Sequence, residues 1–69
     1  MEKVFICDTA EDERKLVGLF HGGFWADKAH WQADLGWPKP AYRVTLDETL
    51  MRGFVMYVKA VIPTAIVLD

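Results

Sequence analysis

The chain has 69 residues, 52% of them hydrophobic and 26% charged, a balance that supports one packed core and excludes a disordered chain. So short a chain leaves no material for a second core, and the expectation is a single domain spanning residues 1–69. Ten acids against eight bases give a net charge of −2, with Lys and Arg scattered singly, so the electrostatic footprint of a nucleic-acid binder is missing.

The first element in chain order is an apolar run, Lys3 to Cys7, whose Val4, Phe5 and Ile6 do not alternate with polar residues. This pattern suits a strand buried on both faces. Thr9 is a good N-cap for a helix that opens with Glu11, Asp12 and Glu13, acids that favour the positive end of the helix dipole. Leu16, Val17 and Phe20 face inward on that helix, and Gly22 with Gly23 stops it.

The segment Phe24 to Leu35 reads as a second helix, with Phe24, Trp31 and Leu35 on one stripe, Asp27 as N-cap and Gly36 as a left-handed C-cap on which Trp37 folds back. Pro38 and Pro40 stiffen the following link. Tyr42 to Leu46 alternates, with Tyr42, Val44 and Leu46 on one side and Arg43 and Thr45 on a wetter one, as in a strand.

From Asp47 to Ile62 propensity and pattern disagree. Val55, Tyr57, Val58, Val61 and Ile62 favour strands, yet the pairs Leu50–Met51, Phe54–Val55, Tyr57–Val58 and Val61–Ile62 fall on one side of a helix, opposite Arg52, Met56 and Lys59. Thr45 with Glu48 matches a capping box, Asp47 reads as a first-turn acid, Glu48 and Arg52 form an i,i+4 pair, and Pro63 supplies a stop. The spacing predicts a helix. Thr64 to Leu68 closes the chain as another buried, β-branched strand. The predicted fold is α/β: a small three-stranded parallel or mixed sheet covered by helices, in the order β-α-α-β-α-β.

Chemistry-bearing constellations are sparse. There is no serine or asparagine, which removes the serine hydrolases. His21, Gly22, Gly23, Phe24 and Trp25 resemble part of the HGGG-type oxyanion-hole motif of lipases and esterases, but the sequence holds no G-x-S-x-G nucleophile elbow, and a helix stop followed by a new start accounts for the glycines. Val4, Phe5 and Ile6 followed by Asp8, Thr9 and an acidic helix start resemble the first strand and helix of TIR-type and response-regulator domains over some fifteen residues of a general strand-to-helix turn. The resemblance implies that turn and no activity.

Cys7 with His21 or His30 as base is a conceivable nucleophile, but burial in an apolar strand raises a thiol pKa and leaves it inert. The two histidines, nine residues apart, fit no common zinc spacing, so no metal or other cofactor is expected. Asp8 and Asp47 each follow a predicted strand, and at the carboxyl edge of a parallel sheet they would hold Mg²⁺ or orient a small polar ligand; both are also explained as residues that begin helices.

Compartment follows from three features. A single cysteine makes no internal disulfide, no signal-peptide pattern opens the chain, and Arg52, Lys59 and Pro63 interrupt the most apolar stretch, Leu50 to Leu68. The expectation is a cytoplasmic protein that does not enter a membrane.

Three tryptophans, Trp25, Trp31 and Trp37, lie within thirteen residues, more ring surface than a core of this size readily encloses. Exposed members would anchor a partner, or the acidic groups Glu11, Asp12 and Glu13 would engage it as a weak phosphate mimic. The leading expectation is therefore a non-enzymatic protein-binding module, a small phage- or mobile-element-encoded inhibitor of a larger host assembly in the manner of an anti-CRISPR protein. Two alternatives stand beside it: a small ligand-binding or Mg-assisted enzyme using Asp8 and Asp47, and a self-associating structural protein, a homodimer through its aromatic surface or an edge strand.

Overall fold

The computed structural model describes residues 1–69. Six elements follow one another as β1 (Glu2–Ile6), α1 (Ala10–His21), β2 (His30–Ala33), β3 (Ala41–Thr45), α2 (Glu48–Val61) and β4 (Ile66–Leu68). The strands form one sheet in the order β2-β3-β1-β4, and every neighbouring pair is antiparallel. This is the split βαβ, ferredoxin-like connectivity: β1-α1-β2 and β3-α2-β4 each leave a gap of one strand, and each gap is filled by a strand of the other unit. No helix is long and apolar enough to cross a membrane.

Both helices cover the same face of the sheet. Leu16 and Phe20 from α1 and Met51, Phe54 and Val58 from α2 join Phe5, Cys7, Val44 and Leu46 in one buried cluster, which Ile62 and Ala65 complete. Rings fill its centre, with Phe54 at 5.1 Å from Phe5 in an edge-to-face contact and 6.0 Å from Phe20. Val4, Ile6 and Ala41 form a smaller cluster on the other face, so β1 is buried on both sides although its neighbours run antiparallel to it.

The expected three-stranded parallel or mixed sheet in the order β-α-α-β-α-β is thus replaced by four antiparallel strands in the order β-α-β-β-α-β. The error lies in residues 24–35. Two residues of the stripe that reads as a buried helix face are instead outside, with Leu35 91% and Phe24 59% exposed. Gly23 takes a left-handed φ of +82° and starts a single turn closed by Lys28 and Ala29 amides on the Trp25 carbonyl. The chain then extends, because pairing with β3 satisfies its backbone and lets Trp31 stack on Phe20 at 4.8 Å.

Asp34 makes the return. Its side chain accepts the Gly36 amide and its own amide donates to the Ala41 carbonyl, so Gly36 turns a hairpin and caps no helix. Trp37 correspondingly does not fold onto a helix end; its indole N–H donates to Asp34 at 3.0 Å.

Other elements stand where their sequences place them. Thr9 caps α1 by accepting the Asp12 amide, and the helix ends at His21 before the two glycines. The α2 segment is helical, as its pattern requires, but its cap is Asp47, which accepts the Leu50 amide at 2.9 Å, and not Thr45, which lies in β3. Residues 64–68 supply an edge strand of three residues with Ile66 and Leu68 exposed, so this run is not buried on both faces.

Candidate protein-docking groove

The most apolar concavity with ring walls lies where α1 ends. Gly22 is extended and Gly23 left-handed, so the chain leaves the helix axis and carries Phe24 and Trp25 toward α2. The Trp25 ring reaches Phe54 at 5.1 Å and meets Phe24 edge to face at 4.7 Å. Lys28 lies 4.3 Å above the Phe24 ring and donates to the Phe24 carbonyl, which fixes the turn. Leu19, Gly22, Phe24, Trp25 and Tyr57 line a cavity of about 310 Å³. Phe24 and Tyr57, on either side of it, are both exposed. Tyr57 reads from sequence as a core residue paired with Val58, but it stands on the shoulder of α2.

The three tryptophans are not gathered into one patch. Trp25 is half-buried in the groove wall. Trp31 sits at the core margin, between Phe20 and the His21 ring. Trp37 belongs to the β2–β3 hairpin and lines a separate cavity of about 230 Å³ with Glu13, Leu35, Lys39 and Tyr42 among its walls.

The acidic group is largely spoken for inside the molecule. Asp12 accepts the Thr64 hydroxyl at 2.8 Å and Glu13 accepts the Tyr42 hydroxyl at 2.6 Å, ties that hold α1 to both halves of the fold. The Glu13 hydrogen bond, with burial behind it, pushes the Tyr42 phenol up to about 12. Glu11 is exposed.

Asp8 and Asp47 stand at opposite ends of the sheet. In the observed register Glu2 faces Thr45 and Ile6 faces Ala41, so the chain leaves β1 and β3 at opposite edges, roughly 14 Å of strand apart. Asp8 pairs with Lys39 and Asp47 caps α2. A shared Mg²⁺ site for the two required parallel strands, and the antiparallel register removes it. No three His, Cys, Asp or Glu side chains converge on a metal-sized cluster. Cys7 is sealed in the core, and burial, reinforced by Asp12 and Glu13, raises its thiol to about 11.

The uncovered sheet face is polar on its β2–β3 side. Arg43 bonds Glu2 at 3.3 Å and Asp34 at 2.8 Å, beside His30, Gln32 and Thr45, in a cavity of about 340 Å³. The Trp37 indole and the Gly36 amide, with Arg43 behind them, hold the Asp34 carboxyl below its usual range. RNA-reading sheets of four strands present aromatic rings for base stacking, whereas the ring of β2, Trp31, is turned to the helices and the one cation of this cavity is matched by two acids.

Sequence reasoning missed Phe24, Tyr57 and the Asp34–Arg43 pair. The Gly22-Gly23 doublet was the available signal for the first, since two glycines free the chain to turn rather than to restart a helix. No protein-family model matches the chain, and no curated protein or solved structure is significantly similar to it.

Proposed function

We propose that this chain is a non-enzymatic protein-binding module of the cytoplasm, a small inhibitor or adaptor of a larger assembly, and that the groove between Phe24, Trp25 and Tyr57 is where it engages its target. The observation that carries the reading is the pairing of exposure with rigidity. Phe24 and Tyr57 stand in solvent on either side of a concavity whose wall, Trp25, is held by the Phe54 ring. Aromatic anchors of this kind dominate binding energy because they bury large area at little cost in side-chain entropy. The groove suits an apolar or proline-bearing segment of a partner, since rings rather than charges line it.

The reaction-based alternative has less support. The thiol that would serve as nucleophile is sealed and raised, and the carboxylates that would share an ion are at opposite ends. A cytoplasmic setting agrees with a lone, unpaired, core-buried Cys7.

The test is affinity capture from the cell that makes the chain, quantified by mass spectrometry for the wild type, Phe24→Ala, Tyr57→Ala and a Leu35→Ala control at an exposed site away from the groove. One assembly should be enriched by the wild type and the control and fall by roughly 30-fold for the groove variants, the loss expected for a hot-spot ring. Equal recovery with all four chains would remove the groove from the reading.

A further inference from the structure

Strand β2 is an edge of the sheet, and pairing with β3 uses only the inward half of its backbone. The Asp34 amide donates to the Ala41 carbonyl, and bonds alternate along an antiparallel pair, so Gln32 and His30, in register with Arg43 and Thr45, turn their amides and carbonyls to β3. The other side of β3 agrees, since Cys7 donates to Pro40 and Leu46 to Met1, which commits Tyr42 and Val44 to β1. The N–H and C=O groups of Trp31 and Ala33 therefore point away from β3 to the open edge, and all four residues of β2 are exposed.

The opposite edge, β4, is closed by comparison. It is three residues long, the Ala65 carbonyl before it accepts the Lys59 ammonium at 2.8 Å, and the Ala65 amide donates to Ile62. Native edges are ordinarily blunted by a lysine, a proline or a bulge. Strand β2 has none of these between His30 and Ala33. We propose that β2 pairs with β2 of a second copy, antiparallel about a two-fold axis through Gln32, so that two four-stranded sheets become one of eight.

The strand is complementary to itself in that register. With Gln32 opposite Gln32, Trp31 stands opposite Ala33 on both sides of the axis, and each such pair exchanges two backbone hydrogen bonds, so every outward group of β2 is met. One step along in one direction sets Ala33 against Ala29, whose amide the Trp25 carbonyl already holds, and one step in the other sets Trp31 against Leu35, beyond the strand.

Side chains agree with the backbone. On the helix side the wide Trp31 ring, stacked on Phe20 and 37% exposed, meets the small Ala33 of the other copy. On the open side His30 meets Asp34 of the other copy at both ends, an imidazole donor facing a carboxylate. Asp34 has room for it, because Oδ2 takes the Trp37 indole and Arg43 while Oδ1 takes only the Gly36 amide. Arg43 is matched within its own copy by two acids, Glu2 and Asp34, which leaves a carboxylate in excess, and Lys28, beyond the strand, lies 3.3 Å from Asp27. The axis stands perpendicular to the sheet, so all four helices lie on one face of it.

Sedimentation velocity over a concentration series, with disulfide trapping, tests the pairing. The wild type should pass from one to two chains as concentration rises. Ala33→Pro deletes an outward N–H and leaves every bond to β3, so it should keep the fold and weaken the dimer at least ten-fold through the two hydrogen bonds lost. His30→Glu sets acid against Asp34 and should weaken it about five-fold, whereas His30→Lys retains it. Gln32→Cys places two thiols at a non-hydrogen-bonded pair with Cα atoms about 4.5 Å apart, within disulfide range, and should cross-link on mild oxidation, the native Cys7 being sealed in the core. Circular dichroism of each variant separates lost association from lost folding, and His30→Glu decides the matter should Ala33→Pro unfold. A wild type that stays a monomer at every concentration, a dimer indifferent to His30→Glu and to folded Ala33→Pro, or a Gln32→Cys dimer that does not cross-link would each overturn the proposal. A monomer that takes up an unrelated extended peptide along β2 would assign the edge to another chain and end the dimer.

Discussion

Replacing Phe54 by Ala tests the core and the groove together. The ring is fully buried, touches Phe5 edge to face, lies 6.0 Å from Phe20 and supports Trp25 from below. Truncation of a buried phenylalanine costs about 3–5 kcal/mol, and here three ring contacts go with it. A domain of this length holds roughly 3–10 kcal/mol in total, so the variant should be at the edge of folding. Each kcal/mol moves the melting point of so small a domain by about 4–8 °C, which places the expected fall at about 12 °C or more. Circular dichroism melts of wild type, Phe54→Leu and Phe54→Ala would show it, with Phe54→Leu between the other two because it refills most of the volume. A fall of less than about 5 °C for Phe54→Ala would mean that the ring cluster is not what holds the helices to the sheet, and the rigidity ascribed to Trp25 would fall with it.

Gly18 lies within α1 with nothing in reach of an added Cβ, so Gly18→Ala should stabilise the fold by about 1 kcal/mol, read as a higher urea midpoint. Stability should decline above pH 9, because Cys7 and Tyr42 have folded pKa values raised from 9.0 to about 11 and from 10.0 to about 12. The unfolded chain then releases protons before the folded one does, so stability present below pH 9 is lost as pH rises through that window. Cys7→Val should remove the earlier part of the decline and Glu13→Gln soften the later part; a profile unchanged in both would contradict the assignment. A thiol reagent should label Cys7 only at the rate of unfolding, and stoichiometric labelling of the native protein would contradict its burial.

The helical half of the fold is legible in the sequence because each helix carries its own evidence. Thr9 and the acids after it mark the start of α1, and the spacing of Met51, Phe54 and Val58 overrides the strand preference of their neighbours. What misleads is Phe24 to Leu35, where Phe24, Trp31 and Leu35 happen to share a helical stripe. Only Trp31 of these packs on the core, and it does so from a strand whose partner β3 lies beyond a proline-stiffened hairpin. Long-range pairing decided that segment, and no local rule contains it.

The same mistake relocated the candidate site. Asp8 and Asp47 converge only if β1 and β3 run parallel, and the inserted strand reverses one of them. Trp25 was readable as an anchor candidate. Its neighbours Phe24 and Tyr57 were not, since both lie on stripes that the sequence assigns to the core.

The position of β1 in the sheet bears on how the protein is made. It is made before the other three strands of its sheet, yet its partners are Tyr42 and its neighbours on one side and Ile66 to Leu68 on the other. The β2–β3 hairpin can close as soon as it is synthesised, but β1 keeps a bare edge until the closing residues emerge. Until it is covered, that edge offers Val4, Phe5 and Ile6 to any passing strand, so residues 66–68 shield the chain from pairing with other chains as well as completing the sheet.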